Sequence, residues 1–462
     1  MRRVGDRRAG TTLTAGVARA AITPARGVPM SGFVGRGPAL DIHDDLFATA
    51  LVLAERGGQD LEADTRVAIV ALDLIGMYSD ELVATLKAAV RRATGIPPER
   101  VFLACSHTHY GPVVAENGDM PGGETSEAAE YRARLPTWIA RCVAEADSRR
   151  EPVTLFAGRG ACRVGVNRRE PQPDGTIALG RNPDGPLDPE VQILRFDRAA
   201  TDAAGDSRGD PATVATIVSF ACHPSSLEAS VRSISADFPG AMRARVEQVV
   251  GGTALFLQGA AGDIDPKTRA PDWSLPESFG LSLATEAIRA SSAAQHLAAT
   301  PLTSERRRLA IPRRGADSVS GARSELEGLL ADMAARGSAD PDAGWWLELK
   351  IKEAREVLAA LESGRRPTIE ADISVLRIGD AALSFAPAEL FTELGRAIKI
   401  GSPSVWTGVV GYTDGALWYV PTRAAYDEGG YEVNDACRVP PEAGELLVER
   451  TVALLEQVFA RG

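Results

Sequence analysis

Histidine and cysteine are the scarce residues of this 462-residue chain, at five each. The cysteines are Cys105, Cys142, Cys162, Cys222 and Cys437, an odd number with no C-x-x-C pair. That excludes a disulfide framework and a thiolate zinc site, and leaves reduced thiols in the core. A basic surplus is missing as well: 51 Lys and Arg stand against 62 Asp and Glu, a formal net charge of −11. This is the wrong sign for a nucleic-acid partner or an anionic membrane surface. No apolar run approaches the roughly 18 residues of a membrane span. The opening MRRVGDRRAGTTLTAG lacks the apolar core of a secretory signal, so the expected compartment is cytoplasmic. There is no Walker loop and no GxGxxG after a strand, which removes the common nucleotide-binding motifs. No solenoid-type repeat is present.

What is present is an α/β pattern. Residues 67–75 (VAIVALDLI) form an apolar run rich in β-branched residues, as in a strand buried on both faces. Residues 79–94 have helical spacing, "GIPPER" turns the chain, and VFLACSH is a second strand. This is a βαβ unit with a parallel strand pair. The pattern returns with 213–221 (strand), 238–250 (helix) and 254–257 (strand). The segment 302–365 differs and reads as a helical hairpin inserted into the main domain, with Trp345 and Trp346 as a packing pair and the hairpin as a lid. Residues 198–212 read as an exposed loop, and 1–13 as a disordered N-terminus before a single domain over 14–462. The expected fold is therefore α/β. Its core is a mixed, largely parallel β-sheet flanked by helices and built from βαβ units, with the inserted hairpin.

The histidines concentrate in this framework. "ACSHTHYGP" (104–112) places His107 and His109 at the end of an apolar strand, on one face if the strand runs on through them. "SFACHPSS" (219–226) ends a second such strand with His223. Ligands of open α/β sheets bind at such carboxyl edges. One histidine at a strand end is usually a hydrogen-bonded structural residue. Three at equivalent edges read as metal ligands or their neighbours. His43 and His296 carry less, and His296 reads as a helix-surface residue. A catalytic zinc site needs a third protein ligand, and spacing does not choose it among the acidic residues. Asp237 and Asp263 are candidates to orient the imidazoles, or equally for turn and N-cap duty.

Seven short motifs occur in a fixed order: "GVARAAITP", "IHDDLFATALVL", "SHTHYGP", "FACHPSS", "QGAAGDIDP", "FAPAELF" and "YVPTRAAYDEGGYE". In this the chain resembles the catalytic domain of the neutral/alkaline (non-lysosomal) ceramidases, without their additional immunoglobulin-like domain. The resemblance implies one Zn2+ ion held by His107, His223, Glu389 and Tyr419. It implies catalytic roles for His109 and Tyr431 beside the metal, and for Arg168 as a substrate contact. One position departs: where the family's G-D-x-S-P motif has serine, this chain has Asp265. A serine acyl-enzyme is thereby excluded there, and Asp265 is expected instead to bind a positive group on the substrate. The implied function is zinc-dependent hydrolysis of an amide by activated water, on a small or short-acyl amide and not on ceramide itself. The alternatives are amide formation or lactone and ester hydrolysis at the same zinc, and, in another class, a non-catalytic binding protein. The expected partner is a small-molecule amide, with homo-oligomer formation left open.

Overall fold

The computed structural model describes residues 11–57, 65–115, 123–199, 212–336 and 341–461. Its main feature is a nine-stranded sheet. Eight of the strands run in the order Thr253–Gln258, Thr213–Phe220, Glu190–Arg198, Glu151–Ala161, Thr12–Ala21, Phe47–Arg56, Thr65–Leu72, Val101–Cys105, and the short Gln295–Leu297 adds to Glu151–Ala161. The expected mixed α/β sheet is there. Parallel pairing occurs at its two ends, where the two βαβ units lie: Thr65–Leu72 with Val101–Cys105, and Thr213–Phe220 with Thr253–Gln258. The strands between pair antiparallel.

The two ends of this sheet lie against one another. Thr12–Ala21 and Glu151–Ala161 join at only two residue pairs, Thr14 with Pro152 and Ala15 with Glu151. About this weak seam the sheet divides into halves that bury a common core. Leu51, Val67 and Phe102 from one half share it with Leu194, Ile217 and Leu255 from the other. Side chains of a strand alternate faces, so the intervening residues point outward. Ala50, Val52 and Leu103 pack beneath the helices Asp80–Thr94 and Ser126–Ser148, through Leu86, Val90 and Leu135. Val218 and Phe256 pack beneath Asp237–Val250 and Ser274–Ser292, through Met242 and Leu283. The layers run helices, half-sheet, half-sheet, helices, each burying one apolar face as layered domains require.

Local chemistry places the elements. Helix Asp80–Thr94 begins where the Ser79 hydroxyl accepts the Leu82 N–H and ends at Gly95 in the left-handed conformation, φ 77°. Acidic residues occupy its first turn and basic residues its last, matching the helix dipole.

A four-stranded sheet, Leu302–Pro312, Thr368–Ile378, Ala381–Phe385 and Trp406–Val410, packs against the inner core, with Phe385 stacked on Phe102 at 4.4 Å. The inserted hairpin is shorter than 302–365. Residues Leu302–Pro312 form a strand, paired through to Pro312 with Thr368, and the helices are Val319–Arg336 and Pro341–Glu362. Thr12 and Leu13 already belong to a strand, so any disordered N-terminus is shorter than 1–13. Residues 1–10 and most of the expected loop 198–212 lie outside the described residues. Among the described residues no helix is long and apolar enough to cross a membrane.

A buried ion pair ties the two βαβ units together. Asp73, just after Thr65–Leu72, receives two hydrogen bonds from Arg243 of helix Asp237–Val250, at 2.7 and 2.6 Å, and also accepts the Phe47 N–H at 2.9 Å. Both side chains are nearly fully buried. Arg243→Met leaves Asp73 buried without its cation. It should lower the unfolding free energy by about 3–5 kcal/mol, measured by urea denaturation, with much of the loss recovered in Asp73→Leu/Arg243→Met. A cost within error of zero would mean that the pair does not hold the units together.

Candidate metal centre and cavity

The loops after strands Val101–Cys105 and Thr213–Phe220 carry the histidines. The first strand stops at Cys105, and the chain turns as Ser106 N–H and His107 N–H reach the carbonyls of Leu72 and Leu74. His107 lies at φ 66°, a left-handed conformation rare for a residue with a side chain. His107 and His109 therefore do not share a face through strand alternation. Their rings still meet, centroids 5.0 Å apart, because the loop folds back. His109 N–H donates to the Pro224 carbonyl, which joins this loop to the one holding His223. Gly32 packs against His109 so closely that a Cβ there would lie 2.6 Å from the histidine Cβ.

Glu389 and Tyr419 arrive as partners in a two-residue parallel bridge, Glu389–Leu390 with Tyr419–Val420. Gly262 lets the "QGAAGDIDP" loop approach, since a Cβ would sit 2.5 Å from the Glu389 carbonyl oxygen. Asp263 accepts the Thr392 N–H at 2.8 Å and an Asn167 side-chain N–H at 2.9 Å. It fixes the loops around Glu389 and Arg168, not an imidazole. Asp237 likewise serves its own turn, accepting from Ser226 and from the Phe238 N–H.

The imidazoles are oriented by main-chain carbonyls. His107 Nδ1 donates to the Ile75 carbonyl at 2.6 Å, and His223 Nδ1 to those of Ala261 and Ile264 at 2.8 and 3.0 Å. With the proton on Nδ1, each Nε2 carries a lone pair. Both lone pairs point at Glu389: His107 Nε2 and His223 Nε2 each lie 3.4 Å from its Oε2. The Tyr419 hydroxyl is 3.5 Å from His223 Nε2. Burial is the main influence on both rings. It pulls His107 down to about 4 against the opposing pull of Glu389, and His223, with Arg168 adding to it, down to about 3. Both are neutral at pH 7, the form that binds a metal.

This arrangement fits a metal ion. His107 Nε2 and Glu389 Oε2 are buried with no hydrogen-bond partner, a costly state unless something else occupies them. Metal–ligand bonds of about 2.0–2.1 Å at tetrahedral angles put neighbouring donors about 3.3–3.4 Å apart, close to the spacing here. His107, His109 and His223 also form a looser cluster, with donor atoms within 4.8 Å of one another. The tighter spacing favours Glu389 over His109 as the third donor.

His109 has both ring nitrogens buried and unpartnered and lines a cavity of about 520 Å³ together with His107, Glu389, Tyr419 and Tyr431. Aromatic side chains form much of its wall. Trp345 and Trp346, expected only to pack, face this space beside Trp418 and Tyr78. Trp346 meets Tyr431 at 5.7 Å, so the hairpin forms part of the wall. Sequence reasoning also missed Tyr412, whose ring lies 4.1 Å from that of His107, and the loop from Gly27 to Pro38. The cue for the loop was its glycines, in "SGFVGRGP". His296 lies on a short strand against Phe156, and His43 stacks on Trp273, both away from the cavity.

Arg168 is buried and does not line the cavity. It lies over the rings of Tyr419 and Tyr431, donates to Glu432 at 2.7 Å, and its Nη1 is 3.3 Å from His223 Nε2.

No protein-family model and no curated protein matches this chain. Its fold is that of solved ceramidase structures. A ceramidase described as complexed with C2 aligns with a TM-score of 0.71 at 21% identity, over 97% of this chain and 76% of its own. The neutral ceramidase from Pseudomonas aeruginosa aligns with a TM-score of 0.70 at 22% identity, over 96% and 75%.

Asp265 does not have the role expected from its sequence position. Arg168 Nη1 donates to one carboxylate oxygen at 3.2 Å and Arg269 Nη2 to the other at 2.6 Å, away from the cavity lining. Burial alone would raise this carboxyl, and the two guanidinium groups overcome it and bring it down to about 2. A carboxyl held below its unfolded value near 3.9 stabilises the fold above pH 4 and loses that contribution as pH falls through about 2. Asp265→Asn should therefore flatten the decline of unfolding free energy between about pH 4 and pH 2 by about 2 kcal/mol, measured by denaturant titration at each pH. An unchanged slope would show that Asp265 does not titrate as a clamped carboxylate.

Proposed function

We propose that the protein is a zinc-dependent amidohydrolase that cleaves an N-acyl bond with a water molecule. The supporting observation is the convergence of two unprotonated imidazole nitrogens, each 3.4 Å from one unpartnered carboxylate oxygen, with a phenol hydroxyl alongside. His107, His223, Glu389 and Tyr419 are the residues that would hold the ion, a mixed nitrogen and oxygen set suited to zinc. Bound there, zinc supplies Lewis acidity to the attacking water and to the amide carbonyl. The structural neighbours' being named as ceramidases is in keeping with this reading.

The protein groups then divide the work. Tyr431, at the cavity wall, donates its O–H to the oxygen that gains charge as the carbonyl is attacked. His109 has no partner for either ring nitrogen. It takes a proton at Nε2 from the attacking water and returns it to the leaving amine nitrogen. Arg168 acts through others: it faces the rings of Tyr419 and Tyr431 and keeps Asp265 and Glu432 as counter-ions. It is a positioning residue in this scheme. The cavity of about 520 Å³ suits an amide of small or medium size, hence a small or short-acyl amide in preference to ceramide. Five cysteines without a disulfide are in keeping with a reducing, cytoplasmic setting.

Metal analysis of the purified protein, with turnover of a panel of N-acyl amides followed by mass spectrometry, tests this. One zinc per chain is expected, and His107→Ala or His223→Ala should lose both zinc and turnover. Tyr431→Phe should keep zinc and lower kcat by about 10²-fold. Zinc-loaded protein inactive on every amide would refute the assignment. Gly32→Ala, which pushes on the His109 Cβ, should keep zinc and lower kcat by about 10- to 10²-fold; unchanged turnover would remove His109 from the scheme.

A further inference from the structure

Arg36 brings a positive charge to the cavity without an anion to meet it. It lies in the glycine-rich loop between Ser31 and Pro38 and lines the same cavity as His107, His109 and Glu389. Its Nη2 donates to the carbonyls of Ser31 and His109, and its Nη1 makes a long contact of 3.4 Å with the Val231 carbonyl. Its Nε is buried and has no partner. The guanidinium lies over the rings of Phe33 and Tyr110, at 5.0 and 5.3 Å. Among the described residues no carboxylate forms an ion pair with it. The fully buried arginines around the site contrast with this half-buried one: Arg168, Arg169 and Arg243 each meet an aspartate or glutamate.

Carbonyl dipoles hold a guanidinium in place but do not neutralise it. A cation partly removed from water without a counter-charge carries a cost, and an anion arriving beside it recovers part of that cost. Burial draws the Arg36 pKa down to about 10, which leaves it charged at pH 7. The other acidic groups of the cavity do not compensate: Glu389 faces the two imidazoles, and Glu127 is exposed at the rim beside Ser126. Arg269, whose guanidinium lies 5.7 Å from the Phe33 ring centroid, is already committed to Asp265. Arg36 hydrogen-bonds the main chain of His109, whose ring lies 5.0 and 5.4 Å from those of His107 and His223, so an anion reaching Arg36 would share the cavity with a carbonyl held beside those histidines. A planar fork of N–H groups is suited to a carboxylate. Farther round the wall, Trp345, Trp346 and Trp418 offer an apolar face for an acyl chain.

Resting on the amide-cleavage reading above, we propose that Arg36 is the specificity residue for a carboxylate carried close to the scissile bond, and that the substrates are N-acylated amino acids. The test uses the zinc-loaded protein and two probes that cannot be hydrolysed. They are the ketone in which CH2 replaces the amide N–H of N-hexanoylglycine, as the free acid and as its primary carboxamide. Titration calorimetry should give at least about ten-fold tighter binding of the acid. Arg36→Gln should abolish that difference and Arg36→Lys should keep part of it, with zinc content and circular dichroism as checks on folding. Equal binding of the two probes by the unaltered protein would overturn the proposal. So would an acid preference that survives in Arg36→Gln or disappears in a folded Arg36→Lys. Turnover of N-hexanoylglycine and its amide is measured separately. Acid-selective binding without cleavage of either would refute the hydrolase reading and leave the Arg36 assignment standing. Cleavage of both with equal binding would do the reverse.

Discussion

Leu51, Val67 and Phe102 on one half of the large sheet share a core with Leu194, Ile217 and Leu255 on the other. The rest of the molecule depends on that contact. Strands Val101–Cys105 and Thr253–Gln258 are the two outermost strands of the ladder, and a flat sheet would hold their ends many strand widths apart. Packing the halves together brings the loops after Val101–Cys105 and Thr213–Phe220 within hydrogen-bonding reach, as the bond from His109 N–H to Pro224 records. The histidines meet because apolar faces do. A cavity in that core would loosen the distance between His107 and His223 before it touched either ring.

Strain in the backbone is concentrated where this layout is finished. Among the described residues, five other than glycine have positive φ: His107, Asp237, Tyr412, Asp414 and Trp418. His107 is a metal-ligand candidate, Tyr412 packs on its ring, and Trp418 precedes Tyr419. Such conformations cost about 1–3 kcal/mol each and persist where surrounding contacts impose them. Here the contacts are main-chain hydrogen bonds: the Leu74 carbonyl holds His107 N–H while the adjacent Ile75 carbonyl fixes its imidazole proton on Nδ1, and the Ile264 carbonyl does both for His223. Two demands on the fold, a rigid turn and a prepared nitrogen, are met by neighbouring main-chain groups.

The βαβ units were legible because burial on both faces writes near-continuous apolar runs, and because Ser79 and Gly95 punctuate a helix in the standard way. His107 and His223 were legible as strand-end residues. The reason offered for His109 was not the operative one, since strand alternation does not extend past Cys105. Glu389 and Tyr419 came from the resemblance alone: their bridge is two residues long, too short to leave a period in the sequence. Asp265 was misjudged because its partners, Arg168 and Arg269, are set by tertiary packing that no local pattern encodes. The antiparallel strands Thr12–Ala21 and Phe47–Arg56 were quoted only as motifs. Their alanines serve both faces and blur the alternation that would have marked them.

The helical hairpin enters between Leu302–Pro312 and Thr368–Ile378, two strands that remain paired to their last residues, Pro312 with Thr368. It emerges from the tip of a β-ribbon whose register does not depend on what the tip carries. Yet it furnishes Trp345 and Trp346 to the cavity wall. The part of the wall formed by Trp345 and Trp346 is thus covalently joined to the scaffold at one narrow stem, while the histidines and Glu389 belong to the loops and bridge of the sheet layers. Evolution can lengthen, shorten or replace the stem's cargo without re-threading a strand, so a lineage on this scaffold is free to diversify what it admits while keeping the chemistry it performs.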